Sequence, residues 1–137
     1  MPEDNFKPED FIEIGREITD SLKYNRHLNP SKIYYGYLRT AASRIYFGTF
    51  LLIRERMKEL GERIPRGHEA HEKVAQLIMK YIDKDTYDEF IRFRRFRNQA
   101  EYDLPETFKI KISMVIYWIT VSERIINKVM SKLNNQV

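Results

Sequence analysis

Ala41-Ala-Ser-Arg-Ile-Tyr-Phe-Gly-Thr-Phe-Leu-Leu-Ile53 lies inside a run from Ser31 to Leu60 that contains no proline. It is apolar almost all round a helical projection, which predicts a long helix buried at the centre of the fold rather than a surface helix with one wet face. Its i, i+4 row Gly36, Thr40, Arg44, Gly48 is small except for Arg44. A neighbouring helix can therefore approach closely there, and Arg44 must find a partner or reach solvent. Asn29-Pro30 marks the start, an N-cap side chain followed by proline at the first helical position.

Working outward, the same periodicity predicts four more helices and no strand. Glu9–Arg26 carries the apolar row Phe11, Ile14, Ile18, Leu22, with Pro8 near its first turn. Gly61 ends the central helix, and Glu62–Gly67, with Pro65, forms the main loop. His68–Ile82 follows, burying Val74, Leu77, Ile78 and Tyr81, and Asp83–Asp85 turns the chain with Asp85 as cap. Thr86–Tyr102 is stopped by Leu104-Pro105. Glu106–Leu133 shows the stripe Phe108, Ile112, Val115, Ile119, Ser122, Ile126, Val129, Leu133. Short links between helices of this length predict an all-α, antiparallel up-and-down bundle of four to five helices, one domain over residues 1–137.

Composition agrees. Gly and Pro number five each in 137 residues, below the roughly 12% of an average chain, and such scarcity of breakers disfavours a many-stranded protein. The absence of cysteine excludes disulfide scaffolds, thiolate zinc sites and cysteine nucleophiles. Met1–Asp10 is polar and unlike a signal peptide, and the apolar runs Ile45–Ile53 and Ile112–Val121 fall short of the ~20 residues of a membrane span. The expectation is a soluble, cytoplasmic protein.

The net charge of +4 is unevenly spread. Residues 1–26 are acidic, residues 32–66 and 106–137 basic. Phe90–Ala100 holds Arg92, Arg94, Arg95 and Arg97 with no acid among them. Such a cluster is either a solvated face or a phosphate site, since guanidinium suits bidentate phosphate contact. The row Phe93, Arg97, Ala100 puts one of these cations at the edge of a core or an interface, where it needs an anion or a hydrogen-bond partner. Aromatics interleave with the arginines as on base-stacking surfaces, although Phe90, Phe93 and Phe96 also suit a core. His68 and His71 share a helical face but lack the i, i+4 spacing of zinc proteases, and His27 stands alone, so no metal or cofactor is expected. No glycine-rich phosphate loop is present.

Two stretches read together carry a resemblance. Ala41-Ala-Ser-Arg-Ile-Tyr-Phe-Gly-Thr-Phe50 resembles the Ala-x-Ser-Arg-x-Tyr-Tyr-Ala-x-Phe pattern of HEPN-domain proteins, and Arg97-Asn-Gln-Ala-Glu-Tyr102 resembles the Arg-Asn-x-Ala-Asp-Tyr segment of one branch of that superfamily. His71-Glu-Lys-Val74 is similar to the His-x-x-Val between them. The likeness spans about Ile33 to Asp103. It implies a HEPN-like antiparallel bundle that forms a homodimer, and an RNA- or nucleotide-binding or metal-independent ribonuclease role in prokaryotic toxin–antitoxin or defence systems. A nucleotidyltransferase-type antitoxin is the implied partner. The family's active site is an Arg followed after four to six residues by His. Here Arg97 and Asn98 match, Tyr102, Asp103 and Leu104 occupy the His positions, and no His follows His71.

RNA cleavage through the 2′-hydroxyl needs a proton acceptor and a donor near neutral pKa. Tyr102 can donate a hydrogen bond but is a poor base at pH 7, and His71 can substitute if the fold brings it to Arg97. The candidate catalytic residues are Arg97, Asn98 and Tyr102, and the candidate nucleic-acid contacts are Arg92, Arg94, Arg95 and Arg44. Three functions compete: a ribonuclease with an altered centre, a non-catalytic RNA- or nucleotide-binding module, and a helical protein–protein interaction module whose arginines pair with the acidic first helix or another protein.

Overall fold

A computed structural model describes residues 5–24 and 32–134. The Asn29-Pro30 start signal and His27 lie outside the described residues. The rest is helical, with no strand among the described residues: α1 (Pro8–Tyr24), α2 (Lys32–Glu59), α3 (His68–Tyr81), α4 (Lys84–Tyr102) and α5 (Ile112–Asn134). None of these helices is long and apolar enough to cross a membrane.

The central place of α2 is as its sequence requires. Leu38, Ala41, Ala42, Ile45, Tyr46, Phe50, Ile53 and Met57 are all buried, and they share one apolar cluster with side chains from α1, α3, α4 and α5. Cross-helix pairs fix the directions. Gly15 of α1 meets Ala41 and Ile45 while Gly48 meets Pro8 and Ile12, so α1 and α2 are antiparallel. Arg39 reaches Ala100 and Asp103 while Tyr46 packs on Phe90 and Phe93, so α4 is antiparallel to α2 as well. Thr49 pairs with Ser122 and Arg56 with Asn134, so α5 runs alongside α2 in the same sense. The loop after Gly61 doubles back: Glu62 bonds Lys80 and Tyr81 at the end of α3, whereas His71 near its start lies beside Tyr46 and Phe50. Helix α3 thus begins beside the middle of α2, and this places the candidate site.

Three local expectations move. The buried face of α1 is Ile12, Gly15, Thr19 and Leu22 rather than the row through Phe11 and Ile14, and Ile14 is exposed. The face that turns inward is the one with the small residues, because close approach to α2 gains more packing than two larger side chains held further away. The cap of α4 is Asp83 and not Asp85: Asp83 Oδ1 accepts from the Thr86 N–H at 2.7 Å, and Lys128 Nζ lies 2.8 Å from its other oxygen. Those hydrogen bonds, Lys128 first, hold the Asp83 carboxyl well below the usual carboxylate range. Helix α5 begins at Ile112, six residues later than its stripe suggests. The Phe108 carbonyl, which a helix over this stretch would offer to Ile112, is taken at 3.2 Å by the Arg39 guanidinium, which also collects the Ala100 and Asp103 carbonyls at the end of α4 at 2.8 and 2.7 Å. The inward stripe of α5 then runs through Val115, Val121, Ser122, Ile125, Val129 and Leu133, with Ile125 in place of Ile126.

The expected row of small residues on α2 divides in two. A Cβ on Gly48 would fall 2.6 Å from Ile12 Cγ1 and 2.8 Å from the Pro8 carbonyl oxygen, whereas one on Gly36 would meet nothing within 4 Å. Gly48→Ala should therefore destabilise the fold by about 1–3 kcal/mol through overpacking against backbone. Gly36→Ala should stabilise it by about 0.5–1 kcal/mol, by removing helix-interior backbone entropy without a clash. Urea midpoints of the two variants should move in opposite directions from the wild type.

Candidate nucleic-acid interface

A groove of about 880 Å³ opens between α2, the loop that follows it, and α4. The outer face of α2 forms one wall with Phe50, Arg54 and Lys58, spaced at i, i+4. The returning loop adds Pro65, Arg66 and Gly67, the start of α3 adds His68 and His71, and α4 closes the far side with Arg94, Arg95, Arg97, Asn98 and Tyr102. Gly67, at φ 82°, occupies the left-handed region that lets the loop turn into α3 without a strained side chain.

Six cationic side chains line this groove, against one acid, Asp103. Their charge is only partly compensated. Arg54 pairs with Glu55 at 2.8 Å, Lys58 shares the same carboxylate at 3.6 Å, and Arg97 pairs with Glu101 at 3.2 Å. Arg66, Arg94 and Arg95 make no ion pair among the described residues. Nor does α1 pair with them: its Glu13 pairs with its own Arg16, and no acid of α1 makes an ion pair with a groove cation among the described residues.

The floor is built on Tyr46, fully buried between α2 and α4. The Arg97 guanidinium lies over its ring, 5.0 Å from the centroid, and the Tyr46 hydroxyl is 2.7 Å from His71 Nδ1. Arg97 is thus held at the edge of the core. Its side chain is 13% exposed, and Nη1 donates to Asn98 Oδ1 and Glu101 Oε2, both at 3.2 Å, while its buried Nε finds no partner. The His71 ring stacks on Phe50, with centroids 4.0 Å apart and planes 19° from parallel. Burial, with Arg94 and Arg97 nearby, lowers its pKa to about 4, so it is a neutral imidazole at pH 7. Burial likewise pushes the Tyr46 phenol upward, so it remains protonated and able to donate.

Of the residues singled out from the sequence, Arg94, Arg95, Arg97, Asn98 and Tyr102 meet at the groove, and His71 comes to the same tyrosine as Arg97. Arg92 is exposed outside it. Arg44 lines a separate cleft with Arg39, Ser43 and Glu101, its guanidinium 5.4 Å over the Phe11 ring, and takes no part in the groove. Phe90, Phe93 and Phe96 are core side chains, stacked or edge-on against Tyr46 and Trp118, and are closed to any base. The groove also takes in Arg54, Lys58 and Arg66, which lie outside the arginine cluster of α4. The i, i+4 row Phe50, Arg54, Lys58 is their mark in the sequence, since it puts cations on the same helical side as an aromatic.

No protein-family model matches this chain, and no curated protein matches it. The HEPN likeness rests on the residues quoted for it alone.

A lowered imidazole pKa has a thermodynamic consequence. The unfolded chain takes up a proton at His71 below its ordinary value of 6.5, whereas the folded chain does so only near 4, so the stability conferred by neutral His71 is full above pH 6.5 and drains away as pH falls through that window. Solvent screening of this half-buried ring keeps the loss to about 1–2 kcal/mol. The gap in urea midpoint between wild type and His71→Gln should narrow from pH 7 to pH 4.5, and NMR titration of the imidazole should give a midpoint well under 6.

Proposed function

We propose that this chain is a HEPN-type RNA-binding protein whose ligand backbone lies in the groove between α2, the 60–67 loop and α4. The observation that carries the reading is the trio Arg66, Arg94 and Arg95, three uncompensated cations around one concavity. Phosphates supply the missing counter-charge, and Arg can meet each with two donors. A toxin–antitoxin or defence role in the cytoplasm, with a homodimer and a nucleotidyltransferase-type antitoxin, follows from the HEPN likeness.

Three phosphate contacts imply a log–log salt slope of roughly −2 for a single strand. Replacing Arg94 and Arg95 with Ala should lower RNA affinity and bring the slope toward about −0.7, with the helical circular dichroism unchanged. If RNA does not bind at low salt, the arginine groove is a protein-pairing surface and the interaction-module reading takes its place.

A second reading, metal-independent cleavage, is favoured by one specific observation: a neutral imidazole and a tethered guanidinium share the Tyr46 ring. In such a reaction His71 accepts the 2′-hydroxyl proton as O2′ bonds to phosphorus and the P–O5′ bond breaks. The departing O5′ takes that proton back, leaving a 2′,3′-cyclic phosphate and a 5′-hydroxyl end. Arg97 faces the added negative charge. A bound phosphodiester also offsets the cations that depress His71, restoring basicity when substrate is present. End-labelled RNA should then be cut at an undiminished rate in chelator, and His71→Ala should abolish cutting while changing affinity by less than about threefold.

A further inference from the structure

The last turns of α4 carry a row the phosphate contacts do not explain. Arg95, Asn98 and Tyr102 fall at i, i+3 and i+7, one side of the helix, and all three line the groove. Tyr102 is 68% exposed and makes no ring contact or hydrogen bond among the described residues. The other aromatics of the groove are already engaged, Phe50 by His71 and Phe47 by Phe11. Asn98 spends its carbonyl oxygen on Arg97, and its amide N–H donors have no partner in the described structure. A cation, a free amide donor and a bare aromatic face therefore follow one another along about 10 Å of helix, at 1.5 Å per residue.

We infer that Tyr102 and Asn98 form a nucleobase subsite, making the ligand of the groove single-stranded RNA with at least one base unstacked from its neighbours. The phosphate on Arg95 sets the register, the base lies flat on the Tyr102 ring, and the Asn98 amide donates to a carbonyl on the base edge. A duplex keeps its bases stacked inside, so its groove-facing surface offers nothing for the ring to cover. Stacking of this kind tolerates any base, because each has a π-face. The inference rests on the RNA-binding reading of the groove and assigns Tyr102 a recognition role in place of an acid–base one.

Fluorescence anisotropy at low salt with labelled hexauridylate, the matching ribose-phosphate strand without bases, and an RNA duplex of equal length tests it. Tyr102→Ala should weaken hexauridylate binding roughly tenfold, and Tyr102→Phe, which keeps the ring, should stay within about twofold of wild type. Removing the bases should cost the wild type a similar factor and cost Tyr102→Ala almost nothing further, and the duplex should bind both proteins alike. The subsite is overturned if Tyr102→Ala binds hexauridylate as wild type does, or if it loses as much as wild type does on base removal. In those cases a loss of affinity in the Arg94→Ala, Arg95→Ala double variant leaves the groove reading standing. No binding of hexauridylate by the wild type overturns both.

Discussion

Where α2 packs against its neighbours it must satisfy each polar group it carries there, and this demand organises the molecule. Thr49 meets it with the Ser122 hydroxyl at 2.6 Å, which ties α2 to α5. Arg39 meets it with backbone carbonyls at the end of α4, groups that any helix terminus leaves without intrahelical partners. Ser43 bonds Glu101, and Tyr46 bonds His71. Each solution commits a neighbouring helix to one register. Apolar contacts alone would hold the bundle together, but they tolerate sliding, and these hydrogen bonds do not.

The Tyr46 contact has the widest reach because it is both core and site. Its ring packs on Phe90 and Phe93 inside the bundle while its hydroxyl and face hold the two groups that lie beneath the groove. Arg97 is thereby kept at the core edge by a ring, an amide and a carboxylate, so it is oriented before any ligand arrives. Arg94 and the exposed Arg95, in the turn before, have no such tether. The arginines that looked alike in the sequence therefore divide into a preorganised one and two free ones, a distinction set by which side of α4 faces α2.

Much of the helical order could be read from periodicity, because a 3.6-residue stripe is local information. The inward face of α1 could not: choosing between Ile14 and Gly15 depends on how closely α2 approaches, and only Gly48 on the other helix decides that. The start of α5 was masked for a related reason. Phe108 and Ile112 keep the stripe in phase, yet the Phe108 carbonyl is taken by Arg39, which lies 69 residues earlier. The α4 half of the groove stood out as an acid-free run of arginines. Its other half did not, since Arg54, Lys58 and Arg66 are ordinary surface cations until the loop at Gly61–Gly67 folds back and faces them across the concavity.

That fold-back also couples charge to protonation. His71 is kept neutral by burial and by nearby cations, of which Arg94 makes no ion pair among the described residues. An anion entering the groove weakens the same field, so it favours the protonated imidazole, and by reciprocity a protonated imidazole favours the anion. Tyr46 bears on this balance, because its hydrogen bond to Nδ1 fixes the ring while burial keeps the phenol from becoming a counter-anion itself. The residue that locks the core is thus also the one that leaves the charge of the groove for a ligand to complete.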